Sequence, residues 1–74
     1  MSDFEINMIR DEELKKRLKE LVDRIPNLSN WKLRDSIEFY TQLKDRTNKD
    51  TDNDLFTAYK LYVKYLEKEL RNRE

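Results

Sequence analysis

Glycine, cysteine and histidine are all absent from the 74 residues, and proline and tryptophan occur once each. Each absence removes a class of chemistry. Without glycine the backbone cannot approach a phosphate closely enough to build a P-loop or a dinucleotide-binding loop. Without cysteine there are no disulfides and no thiolate nucleophiles, and without cysteine or histidine the usual zinc and copper sites are excluded too. The Ser–His and Cys–His arrangements of covalent catalysis go with them. Neither an enzyme nor a cofactor is expected. No apolar run approaches the roughly 20 residues that a membrane span requires, and no signal-peptide core follows Met1. The expectation is a soluble, cytoplasmic protein with no membrane partner.

What the sequence has is charge. Charged residues make up 43% of it, with 16 Lys plus Arg against 16 Asp plus Glu. That balance argues against a protein that coats nucleic acid indiscriminately, which would be strongly basic, but it leaves room for a local basic patch. The length allows one domain, and a domain this small buries a limited share of its surface. Small domains commonly add a disulfide, a metal or a second subunit. With the first two excluded, the expectation is a second subunit.

Residues 4–10 alternate. Phe4, Ile6 and Met8 would lie on one side of an extended chain, and Glu5, Asn7 and Ile9 on the other. A period of two predicts a strand, and a lone strand needs a partner. Asp11 is a candidate N-cap, followed by Glu12 and Glu13 at the positive end of a helix. Leu14, Leu18, Leu21, Val22 and Ile25 recur at helical spacing and predict a first helix over 11–25. Pro26 stops it, and Asn27 is a residue that tolerates the left-handed conformation glycine usually supplies. Ser29 caps a second helix over 30–45, with Leu33, Ser36, Ile37, Tyr40 and Leu43 as its stripe. A polar linker follows. Thr51, with Asp54 three residues on, resembles a capping box, and Leu55, Tyr59, Tyr62, Val63, Leu66 and Leu70 predict a third helix over 53–72. The run from Asp50 to Asp54 looks like the opening of a calcium loop. Its sixth and twelfth positions are Leu55 and Leu61, where an EF-hand needs Gly and Glu, so it reads as a linker and cap.

The order of these elements carries a resemblance. An alternating segment is followed by Asp11-Glu12-Glu13-Leu14, then by a helix bearing Leu18, Leu21 and Val22. A Ser29-capped helix bearing Leu33, Ser36, Ile37 and Tyr40 comes next. Residues 4–44 thus resemble the ribbon-helix-helix superfamily of dimeric DNA-binding proteins. The resemblance implies a mainly α fold with one short N-terminal β-strand, in the order β-α-α-α. It also implies a homodimer joined through an intersubunit antiparallel ribbon. Residues 1–46 would be the dimerisation and DNA-binding core. Residues 47–74 would be a polar linker and an additional C-terminal helix, as in some phage and archaeal-virus regulators. Phe4, Ile6, Met8, Leu33, Ile37 and Tyr40 would form the dimer core.

A two-stranded ribbon fits the major groove of double-stranded DNA. Glu5, Asn7 and Ile9 would face the bases, Asn7 foremost through an amide that can pair with adenine. Ser29, Asn30, Trp31, Lys32 and Arg34, at the start of the second helix, would clamp a phosphate. The resulting expectation is a homodimeric, sequence-specific DNA-binding protein that regulates transcription. The competing expectation is a small helical module that binds and regulates a partner protein. In that reading the N-terminal segment is an arm. The aromatics of the third helix, Phe56, Tyr59, Tyr62 and Tyr65, are expected first to pack in the core or the dimer, with a partner surface at Tyr65, which falls off the stripe, as the alternative. The neutral charge favours the second reading. The alternating segment and the Ser29 cap favour the first.

Overall fold

The computed structural model of the chain describes residues 4–74, with side chains from Ile6 onward. A single helical turn, α1 (Phe4–Asn7), precedes three long helices: α2 (Glu12–Arg24), α3 (Asn30–Arg46) and α4 (Asn53–Arg73). A 3-10 turn over Ile25–Asn27 joins α2 to α3. There is no strand among the described residues. The expected β-α-α-α order and the intersubunit ribbon are therefore corrected to an all-helical chain.

The physical reason lies in Ile6 and Ile9. Ile6 alternates with Phe4 and Met8 as a strand would have it, but it also stands three residues before Ile9, which is one helical turn. The fold uses that second spacing. Ile6 packs against the core, Ile9 is only 1% exposed, and the Ile9 N–H donates to the Ile6 carbonyl at 3.2 Å. A strand would have left its backbone groups waiting for a second chain, whereas a turn satisfies them locally. Two assignments reverse in consequence. Met8, expected inside, is 70% exposed, and Ile9, expected to face DNA, is in the core.

Local chemistry sets the helix ends. The Asp11 carboxylate accepts from the N–H groups of Glu13 and Leu14 at 3.0 and 3.2 Å, and the Ser29 hydroxyl accepts from the Lys32 N–H at 3.1 Å. Pro26 sits in the first turn of the 3-10 segment, where a missing N–H costs nothing. Asn27 is not left-handed, since no described residue has positive φ. The 3-10 turn carries the chain round instead, and Leu28 then runs extended. Between α3 and α4, the Asn48 side chain accepts from the Asp50 and Thr51 N–H groups. The expected Thr51–Asp54 box does not form. Asp52 occupies the cap position without a side-chain bond, and the Asp54 carboxylate reaches across to the backbone of Arg10 and Asp11.

α4 is the spine of the fold. It packs against α1, α2, the 3-10 turn and α3, whereas α2 and α3 scarcely meet. Leu61 and Leu66 of α4 are fully buried, and Leu18, Ile25 and Leu33 close on them from the other elements. Each such side chain contributes about 1.5–3 kcal/mol relative to exposure. One core thus draws on residues from both sides of the 46/47 boundary. No helix among the described residues is long and apolar enough to cross a membrane.

The two ends of α4 fix the other helices in place. Asp54 Oδ2, in the first turn, accepts from the Arg10 and Asp11 N–H groups at 3.1 and 3.0 Å. Arg73, in the last turn, donates to the carbonyls of Leu28 (2.6 Å), Pro26 (3.1 Å) and Ile25 (3.4 Å) and to Asn30 Oδ1 (3.0 Å). Its Nε holds Glu69 at 2.8 Å. The carbonyls at a helix C-terminus have no partner within the helix, and the guanidinium fork gathers several of them at once. α2 therefore runs parallel to α4, and α3 runs antiparallel to it.

Two measurements check this account. Ile9→Ala is expected to lower unfolding free energy by about 2–5 kcal/mol, and Met8→Ala by less than about 0.5 kcal/mol. Equal losses in urea titrations would show that the turn does not seat Ile9. Arg73→Lys keeps the charge but loses the fork, and is expected to cost about 1–3 kcal/mol, seen as a lower urea midpoint at unchanged slope.

Candidate functional site

Because α2 and α3 are held on α4 rather than on each other, a groove of about 300 Å³ runs between them. Leu14, Leu18 and Leu21 of α2 form one wall, and Phe39, Tyr40 and Leu43 of α3 form the other. Leu55, Ala58, Tyr59 and Tyr62 of α4 form the floor, and Arg17 stands at the α2 edge. The surface is predominantly apolar, in a chain whose remaining surface is densely charged.

Aromatic rings shape the α3 side. Tyr40 packs edge-on against Tyr62, with centroids 4.7 Å apart and planes at 88°, and edge-on against Phe39 at 5.2 Å and 87°. It also lies tilted against Tyr59 at 6.0 Å. These are the favoured offsets for ring quadrupoles. The row runs from the buried Tyr62 to Phe39 at the lip, which is 55% exposed. Phe39 thus extends the apolar surface of the trough out to its lip. Burial pushes the Tyr62 phenol above its ordinary value of 10.0; the nearby Tyr40 adds to the rise and Arg24 opposes it. No buried side-chain nitrogen or oxygen among the described residues lacks a partner.

The residues expected to read DNA are not brought together. Asn7 is exposed on α1 and Ile9 is buried, while the side chain of Glu5 lies outside the described residues. At the start of α3, Ser29 caps its own helix and Asn30 is held by Arg73. Trp31 is 71% exposed. Lys32 and Arg34, two residues apart on a helix, project to opposite sides and do not converge on one anion. Arg34 instead lines a separate shallow cleft with Ile37, Glu67 and Arg71. Of the residues expected in a dimer core, Leu33, Ile37, Tyr40 and Ile6 pack in this chain's own core, Met8 is exposed, and the Phe4 side chain lies outside the described residues. Tyr65, the alternative candidate for a partner surface, also packs against the core.

Phe39 was missed by pattern reading. Its signal was present: it lies three residues after Ser36 and four before Leu43, so it widens the α3 stripe toward α2. Comparison of the chain with protein-family models, with curated proteins and with solved structures gives no match.

The Tyr62 shift sets a pH dependence. The fold favours the protonated phenol. Its contribution is complete below the ordinary value of 10.0 and is lost as the pH rises through the raised value of the folded chain. Urea midpoints are therefore expected to fall as alkali is added beyond that ordinary value, and Tyr62→Phe is expected to flatten the fall. An identical alkaline profile in the variant would assign the loss to other phenols.

Proposed function

We propose that the chain is a protein-interaction module that receives an amphipathic helix of a partner protein in the groove between α2 and α3. The observation that carries this reading is the apolar trough with Phe39, 55% exposed, at its lip. The two walls are helices, and a third helix forms the floor. A further helix fits such a trough by placing residues at i, i+3 or i+4 and i+7 against Leu21, Leu43, Tyr59 and the Phe39 ring. It would complete a four-helix arrangement of a common kind. Helices packed this way lie about 8–10 Å apart, axis to axis. A domain of this size is marginal alone, so occupancy also stabilises it through mass action. Regulation follows from occlusion, because a partner helix lying here has its own apolar face covered.

The DNA-binding reading loses the pattern it stood on. Its ribbon required the alternation of residues 4–10 to be a strand, and this segment forms a helical turn leading to a buried Ile9.

The test uses a synthetic amphipathic helix with leucines at i, i+4, i+7 and i+11. Its binding is expected to perturb the backbone resonances of Leu21, Phe39, Leu43 and Tyr59 and few others. Phe39→Glu is expected to weaken that binding at least tenfold while leaving unfolding free energy within about 0.5 kcal/mol, the usual range for an exposed site. Perturbations that map elsewhere, or that survive Phe39→Glu, would remove the groove from the account.

A further inference from the structure

Resting on that reading, we infer that the helix received by the groove is acidic along its flanks. The argument is the distribution of charge on the two lips. On α2, Arg17 lines the groove, and Arg24, two helical turns further on, lies close enough to Tyr62 to oppose the rise of its phenol. On α3, Lys32 and Arg46 stand seven residues before and after Phe39, so helical periodicity puts all three on one stripe. Arg17 thus lines the groove itself, while Arg24, Lys32 and Arg46 stand on the same helical stripes beyond its ends, two cations to each helix. Along α3 the cations are about 21 Å apart and along α2 about 10 Å apart, at 1.5 Å per residue. A partner helix of three to four turns spans that frame.

Acidic residues are present as well, but they do not cancel it. Asp35 lies one turn before Phe39, and Glu13 and Glu20 lie within a turn of Arg17 on the outer side of α2. Glu13 meets Arg17 at 3.7 Å with both side chains largely exposed, and such a pair is weak. Arg24, Lys32 and Arg46 enter no ion pair among the described residues. A carboxylate brought to either lip by a docked helix meets a cation without first displacing a strong partner.

The same lips do not suit a nucleic acid strand. Base stacking needs successive open ring faces, whereas Tyr40 and Tyr62 pack edge-to-face with each other and Tyr62 is buried, leaving Phe39 alone at the lip. The floor is apolar and is filled by side chains that shed water, which a phosphate backbone does not supply.

The experiment uses three peptides with the same leucine anchors and matched helicity, flanked by Glu, Gln or Lys. Their affinities are measured by fluorescence anisotropy at low and high salt. The Glu-flanked peptide is expected to bind about tenfold tighter than the Gln-flanked one at low salt, with the Lys-flanked one weakest. Salt is expected to compress the order, because exposed charges are screened. Arg17→Gln with Arg24→Gln is expected to reduce the preference, and Arg17→Glu with Arg24→Glu to abolish it, because Lys32 and Arg46 remain on the other lip. Circular dichroism on each variant confirms that the helices persist. If the Glu and Gln peptides bind equally, the acidic inference is overturned and the groove reading stands. If no peptide binds, the groove reading falls and takes the inference with it. A single-stranded oligonucleotide that competes for the site, or a dimer of the free chain in sedimentation that Phe39→Glu dissociates, would also overturn the inference.

Discussion

An acid in the first turn of α4 and a base in its last turn govern where everything else can lie. Asp54 offers a carboxylate to the backbone entering α2, and Arg73 offers a guanidinium to the backbone leaving it. Both satisfy main-chain groups that a glycine-free chain would otherwise leave to water or to its own short turns. Because the two residues stand at opposite ends of a 21-residue helix, they set the span of α2 and its direction. α3 is then obliged to return along the same spine. The buried leucines supply most of the free energy, but apolar contacts are non-directional. The polar ends make one arrangement preferable to its neighbours.

That division of labour explains why the molecule carries a groove at all. Three helices of similar length commonly close into a triangle in which each touches the other two. Here α2 and α3 both commit their apolar stripes to α4 and scarcely to each other. Tyr40 and Phe39 occupy the α3 side of the interval with rigid rings that do not fold away. The gap is thus a product of packing elsewhere, and its apolar character follows from stripes wider than α4 alone can cover.

Much of the architecture was legible in the amino-acid order. The stripes at Leu14–Ile25, Leu33–Leu43 and Leu55–Leu70 marked three helices, and Asp11 and Ser29 marked two of their starts. The N-terminal segment was not legible, because over seven residues a period of two and an i, i+3 pair share the same isoleucines. Only the presence of α4 beneath Ile9 decides between them. The Asp54 and Arg73 contacts join residues more than forty positions apart, a distance that no local pattern encodes. The groove was hidden for a related reason. A stripe shows which face of a helix avoids water, but not how much of that face its neighbours can reach. Phe39 belonged to that uncovered remainder.

The placement of the spine at the C-terminal end of the order also bears on how the chain is made. α1, α2 and α3 all find their main partner in α4, so during synthesis none of them has its surface covered until α4 follows. At 5–20 residues per second the ribosome needs about one to four seconds to add a helix of that length. Until α4 is added and packs, the apolar stripe of α2 has no helix to cover it, and a nascent chain of this kind is open to chaperones for that interval.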